Sequence, residues 1–130
     1  MKGSYILVIF LSKKVEIEIG ALGVLSFPKG YYLYVGSAMG NIGSTTLENR
    51  VKRHLTDSAS KKIHWHIDYL LNDEHFLITK LYIVPSLTRL ECGIARDIKE
   101  VSDSFIKNFG STDCSCKSHL FYFKELRKFM

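Results

Sequence analysis

The run Tyr5-Ile6-Leu7-Val8-Ile9-Phe10-Leu11 constrains this chain more than any other stretch. It is β-branched and aromatic, and it offers no polar face to water. Residues 4–11 therefore fit a central strand, which needs apolar elements on both faces of its sheet. Residues 2–11 as a whole could pass for a short secretory segment, but they lack a small-residue cleavage site and begin with a turn. Lys13-Lys14 turn the chain, and Val15-Glu16-Ile17-Glu18-Ile19 alternates cleanly, which predicts a half-buried strand. Alternation accounts for Glu16 and Glu18 without any chemistry. Gly20, Gly23 and Pro28-Lys29-Gly30 frame a short segment at 24–27.

Residues 31–54 concentrate the polar chemistry. They read as a strand, a Gly/Ser-rich loop from Gly36 to Ser44, and a helix. Alternation puts Tyr32 and Tyr34 on one face of the strand and Tyr31, Leu33 and Val35 on the other. Thr45-x-x-Glu48 has the form of a capping box, so the helix is expected to begin there. Leu47, Val51 and Leu55 recur at fourfold spacing and form the expected buried stripe. Arg50 and His54, also four apart, lie beside it. A permanent cation, a titratable imidazole and strand phenols in one place suit a phosphate and a proton transfer.

The next segment, His64-Trp65-His66-Ile67-Asp68-Tyr69-Leu70-Leu71, is open to two readings. As a strand it aligns His64, His66 and Asp68 as a metal constellation. The apolar spacing of Ile63, Ile67, Leu70 and Leu71 fits a short helix better, with Trp65 in the core and the polar groups satisfied locally. Residues 76–84 form a further strand closed by Pro85-Ser86. Thr88-x-x-Glu91 predicts a capped helix running to about residue 102, with a stripe of Leu87, Leu90, Ile94, Ile98 and Val101. Glu91 falls on the inward face, where a carboxylate needs a cap, a salt bridge or a metal. The tail holds Cys114-x-Cys116-x-x-His119, a loop of metal-capable side chains at an uncommon zinc spacing, with Cys92 available if the fold brings it close. A short strand is expected at 119–123 and a basic helical turn at 124–130.

The chain has 130 residues, of which 46% are hydrophobic, enough for one globular domain over 1–130 and not for two. No apolar run is long enough to span a bilayer, so no membrane is expected. Three cysteines are too few for a disulfide framework, and reduced thiols in a cytoplasmic protein are expected. No internal repeat, low-complexity segment or linker is visible. The net charge of +5 is compatible with a polyanionic partner. Lys52, Arg53, Lys61 and Lys62 cluster after the central loop, and Lys117, Lys124, Arg127 and Lys128 crowd the C-terminus. Such clusters are also what solvated faces carry.

In order, Gly3-Ser4-Tyr5, Tyr34-Val35-Gly36, Arg50 with His54, and Glu91 resemble the landmarks of the GIY-YIG nuclease superfamily. The phrases Tyr34-Val35-Gly36-Ser37-Ala38, Arg53-His54-Leu55, His64-Trp65-His66-Ile67-Asp68-Tyr69, Leu90-Glu91-Cys92 and Phe109-Gly110-Ser111-Thr112-Asp113-Cys114 are similar to those of a compact subfamily. That subfamily occurs mainly in archaea, alone or fused to repair enzymes. The resemblance implies an α+β fold, a small antiparallel central sheet flanked by helices. It implies a DNA endonuclease that hydrolyses phosphodiester bonds with one divalent ion, Mg²⁺ or Mn²⁺, in DNA repair or processing. Tyr5 and Tyr34 would be the motif phenols on adjacent strands. Arg50 would bind the phosphate, Glu91 the metal, and His54 would assist proton transfer. Gly36, Lys52, Arg53, Lys61, Lys62 and His64 are the candidates for substrate contact. Residues 13–29 are inserted between the two motif strands, and the family's late Asn has no match, with Asp113 or Ser118 nearest to it.

Phosphodiester hydrolysis needs an in-line water, a base for its proton, and positive charge on the phosphoryl oxygens. Arg50 offers a planar donor fork, and Glu91 a hard oxygen ligand. A free phenol has a pKa near ~10, so Tyr5 as base needs help, from Arg50, the metal or His54. The residues leave the choice of base between Tyr5 and His54 open. The expected partner is branched or damaged duplex DNA, with a protein partner or homodimerisation supplying targeting. Two rivals remain: a non-catalytic nucleic-acid-binding module, and a zinc-stabilised interaction protein built on Cys92, Cys114, Cys116 and His119, with His64 as a further candidate.

Overall fold

The computed structural model describes residues 1–41, 43, 46–56, 65–111 and 116–126. In chain order the elements are β1 (Gly3–Leu11), β2 (Val15–Glu18), a 3-10 turn (Gly20–Leu22), β3 (Val24–Phe27), β4 (Gly30–Ala38), α1 (Leu47–Leu55), α2 (His66–Leu71), β5 (Phe76–Pro85), α3 (Glu91–Val101), β6 (Ser104–Phe105) and β7 (Leu120–Phe123). The main sheet runs β5-β1-β4-β7-β6 with every neighbouring pair antiparallel, and β2-β3 form a separate hairpin. This is a small α+β fold. Among the described residues, no helix is long and apolar enough to cross a membrane.

The apolar first run takes an interior position, between β5 and β4, because it can be covered on both sides. Tyr5, Leu7, Ile9 and Leu11 face one layer, built from Leu47 and Val51 of α1, Ile67 and Leu70 of α2, and Phe27 of β3. Ile6 and Val8 face the other layer, where Ala95 and Ile98 of α3 pack with Leu33, Val35, Phe121 and Phe123. Residues 13–29 supply the β2-β3 hairpin, and its inner residues Ile19 and Phe27 are fully buried. Phe27, Tyr32 and Phe76 meet edge to face at centroid separations of 5.7–5.9 Å, pairs that contribute about 0.5–1.5 kcal/mol each beyond burial.

Several expected boundaries move. The strand predicted to end before Gly36 continues through Ala38, because Gly3, Ser4 and Tyr5 pair with Ala38, Ser37 and Gly36. Thr45 lies outside the described residues, and the N-cap of α1 is Thr46, whose Oγ1 accepts the Asn49 N–H at 3.2 Å. Glu48 instead pairs with the N-terminal ammonium at 2.9 Å. Leu55, expected in the buried stripe, is 56% exposed, and His54 takes the inward place. Thr88 caps nothing: α3 starts at Glu91, with Leu90 at its N-cap and no side-chain cap. Leu87, Leu90 and Val101 are therefore exposed, and the inner stripe of α3 is Ile94, Ala95 and Ile98. The turn expected at 124–130 lies largely outside the described residues.

The 66–71 segment is a helix, not a strand, so the His64, His66 and Asp68 constellation does not form among the described residues; His64 is outside them. Asp68 is fully buried and engaged elsewhere. Its Oδ1 accepts from Arg53 Nη1 at 2.8 Å and its Oδ2 from the Trp65 N–H at 2.8 Å. Trp65 is only half-buried, with the Arg50 and Arg53 guanidinium groups 4.7 and 4.6 Å from its ring centre.

Breaking one side of a buried ion pair costs more than the pair contributes, since the remaining charge loses its partner. Asp68→Ala is expected to lower the unfolding free energy by about 3 kcal/mol, read by urea denaturation. A loss below about 0.5 kcal/mol would show that the Arg53–Asp68 contact does not hold α1 to α2.

Candidate functional site

The end of the sheet where β1 begins and β4 ends carries a small cavity of about 60 Å³. Tyr5, Tyr34, Gly36, Ser37, Arg50 and Glu91 line it, together with Trp65, Gly110 and His119. Tyr5 and Tyr34 come together through the β1-β4 register: Tyr5 opposes Gly36 and Leu7 opposes Tyr34, so the phenols are diagonal neighbours with ring centres 6.5 Å apart. Gly36 makes this possible. A Cβ there would run into the Tyr5 ring and hydroxyl, so its role is to make room for Tyr5.

α1 delivers the next two groups. His54 is 3% exposed, and its Nε2 shares a 2.6 Å hydrogen bond with the Tyr5 hydroxyl. Arg50, one turn earlier, donates from Nη1 to the Ser37 carbonyl at 2.9 Å. Its Nε is buried and has no hydrogen-bond partner among the described residues. Such a donor is costly to leave unmatched, so the site favours an acceptor. Burial first, then the neighbouring Tyr34 phenol, hold the Tyr5 hydroxyl well above the ordinary phenol range, although Arg50 pulls the other way. Tyr5 is therefore a neutral phenol at rest.

Glu91 arrives from α3, which packs on the opposite face of the sheet and reaches the cavity with its first residue. Its Oε1 lies 3.2 Å from Arg89 Nη1 and its Oε2 lies 3.9 Å from His119 Nδ1. The same Arg89 nitrogen donates to Ser37 Oγ at 3.1 Å, tying this carboxylate to the end of β4. The donor set fits a hard divalent ion. Mg²⁺ or Mn²⁺ takes one or two carboxylates and keeps several waters, and Glu91 is one carboxylate in a polar recess.

The remaining candidates separate. Lys52 is exposed on α1, away from the lining. Arg53 pairs with Asp68 and lies over the Trp65 ring. Lys61, Lys62, His64, Asp113 and Cys114 lie outside the described residues. Ser118 is buried and hydrogen-bonds Leu120 within its own segment. Cys92, Cys116 and His119 have ligand atoms within 4.8 Å of one another.

Sequence reasoning missed Ser37, Trp65, Gly110 and His119 as parts of this recess, and Arg89 beside it. Gly110 has a φ of +68°, which suits glycine, and a side chain there would press on Tyr34. The Gly110 N–H donates to His66 Nδ1 at 2.9 Å, and burial holds the His66 imidazole below its ordinary value.

A family model described as a domain of unknown function, DUF123, matches residues 4–130. Neither the curated proteins nor the solved structures contain a match.

Two outcomes follow from the geometry. Gly36→Ala forces Tyr5 out of its place, and a loss of about 2 kcal/mol of stability is expected from the overpacking, measured by urea denaturation. A neutral variant would mean that Tyr5 does not press on β4. His66 favours its neutral form in the fold, so its contribution is present above the free value of about 6.5 and is lost as the pH falls through the lower folded value. By NMR its ring should titrate below 6.5, and the Gly110 amide should shift with it; titration at or above the free value refutes the contact.

Proposed function

Since the chain belongs to the DUF123 family, whose description names no activity, we propose from the site itself that the protein is a GIY-YIG-like, metal-dependent DNA endonuclease. One observation carries this reading: Tyr5, Tyr34, Arg50 and Glu91, drawn from four separate elements, line one recess, with His54 bonded to Tyr5 from behind. Packing alone gives no reason for two phenols, a guanidinium and a carboxylate to meet at a sheet end.

In this reading Arg50 binds the scissile phosphate through the donors that Ser37 leaves open, with its guanidinium carbon 4.7 Å from the centre of the Trp65 ring. Tyr34 orients the phosphate or the attacking water. Tyr5, neutral at rest, takes the water's proton while its own proton passes to His54 Nε2 across the 2.6 Å bond. The water oxygen bonds to phosphorus, the bond to the leaving sugar oxygen breaks, and that oxygen takes a proton from solvent. Mg²⁺ or Mn²⁺ on Glu91 would supply positive charge at the phosphoryl oxygens when bound. The net charge of +5 favours a polyanion, with branched or damaged duplex DNA as the proposed substrate and repair as the setting. A protein partner or a second copy is the proposed source of targeting.

The test is nicking of branched, nicked and plain duplex DNA in Mg²⁺ or Mn²⁺, against EDTA. Arg50→Ala and Glu91→Gln are each expected to slow cleavage on the order of a hundredfold or more. Tyr5→Phe keeps the ring and removes the relay, and should do the same. Salt-sensitive binding without cleavage in either metal would sink the reading and favour a non-catalytic nucleic-acid module.

A further inference from the structure

We propose that Cys92, Cys116 and His119 form a zinc site, separate from the ion held by Glu91, that clamps the start of α3 to the segment entering β7. The proposal stands whether or not the protein cuts DNA.

Three ligand atoms converge from two distant parts of the chain. Cys92 is the second residue of α3, while Cys116 and His119 precede β7. Their sulfurs and one imidazole nitrogen all lie within 4.8 Å of one another. Zinc bonds sulfur at about 2.3 Å and imidazole nitrogen at about 2.0 Å, so tetrahedral ligands sit about 3.5–3.8 Å apart. Closing from 4.8 Å takes about 1 Å, within reach of side-chain torsions. Two soft sulfurs and an imidazole select zinc over the hard ions suited to Glu91. Zinc with three protein ligands takes water in its fourth position.

The surroundings favour such a centre. Cys92 and Cys116 line a cavity of about 330 Å³ with Arg96, Lys99 and Lys117. Those cations offset the charge that two thiolates carry. His119 is 3% exposed, and its backbone is fixed on both sides: its N–H donates to the Phe109 carbonyl at 2.9 Å and its carbonyl accepts from Val35 N–H at 2.9 Å. His119 Nδ1 stands 3.9 Å from Glu91 Oε2. A metal-bound histidine commonly directs its other ring nitrogen to a carboxylate, which fixes the ring and its tautomer. With Nε2 on the metal, Nδ1 would be the nitrogen left to face Glu91.

The protein, produced with zinc supplied and purified under reducing conditions, should carry about one zinc per chain by elemental analysis. Replacing it by Co²⁺ should give the intense near-ultraviolet absorption of cobalt bound to thiolate. A chelator should lower the melting temperature. Cys92→Ser and Cys116→Ser should each reduce bound zinc to about a tenth or less, while Glu91→Gln keeps it. The last variant separates this site from the proposed nuclease ion: loss of cleavage with zinc retained fails neither idea. Metal-free wild-type protein that takes up no Co²⁺, or a Cys92–Cys116 disulfide seen as a mass deficit of two hydrogens, overturns the proposal. The wild-type measurements decide the matter even where a cysteine variant fails to fold.

Discussion

The hydrogen bond between the Tyr5 hydroxyl and His54 Nε2 sets the position of everything around the recess. It joins β1 to α1 across 49 residues, with both partners buried. In such surroundings a hydrogen bond is electrostatically strong, and an unmade one is costly. The bond therefore fixes how α1 is rotated against the sheet. Leu47, Val51 and His54 point inward, and Leu55 is left 56% exposed. Burying that leucine would contribute about 1.5–3 kcal/mol. The helix forgoes it to bury an imidazole, a choice that packing alone does not make. The same rotation brings Arg50 over Trp65 and within reach of Ser37.

Arg50 is in turn held by contacts that never touch the recess. Asp68 neutralises Arg53 and accepts the Trp65 N–H, so one buried carboxylate fixes the indole that Arg50 lies against. Arg53 covers the same ring at 4.6 Å. Two cations close to one indole repel each other, and Asp68 balances one of them. That leaves the charge of Arg50 uncompensated by this group. Gly36 and Gly110 do the complementary work by subtraction, each keeping a side chain out of the space of a phenol.

The strands were legible because their signals are local. Doubly apolar β1, alternating β2 and the faces of β4 each depend on residues within a few positions of one another. The misplaced features share a different cause. Spacing of four on a helix advances about 40° per step, so the third member of Leu47, Val51 and Leu55 lies about 80° from the first. His54, at seven, returns to within about 20° of it. The Thr-x-x-Glu patterns at 45 and 88 match a motif that any exposed Thr and Glu can satisfy by chance. Thr46 is the N-cap of α1, and the Leu90 N-cap of α3 uses no side chain. Arg89 had no signal: its meaning comes from Ser37, 52 residues away. The gathering of Tyr5, Tyr34, Arg50, His54 and Glu91 came from the resemblance, and periodicity could not have supplied it.

Charge in the recess argues for the protonation state that the proposed chemistry needs. Arg50 brings a positive charge to the recess, while Arg89, outside its lining, pairs with Glu91, and Tyr5 stays neutral. The negative charge of a phosphodiester is drawn to Arg50, and to a divalent ion on Glu91 when one is bound. An ionised Tyr5 would offset the Arg50 charge first, and would lie buried beside the Tyr34 phenol and the Glu91 carboxylate, both of which oppose its charge. A standing phenolate is thus disfavoured by burial and by its neighbours, and it would also weaken the pull on the substrate. A phenol that gives up its proton only as it gains another leaves the Arg50 charge unopposed by Tyr5 throughout. The 2.6 Å contact to His54 provides a place for that proton without any charge having to form on Tyr5 in advance.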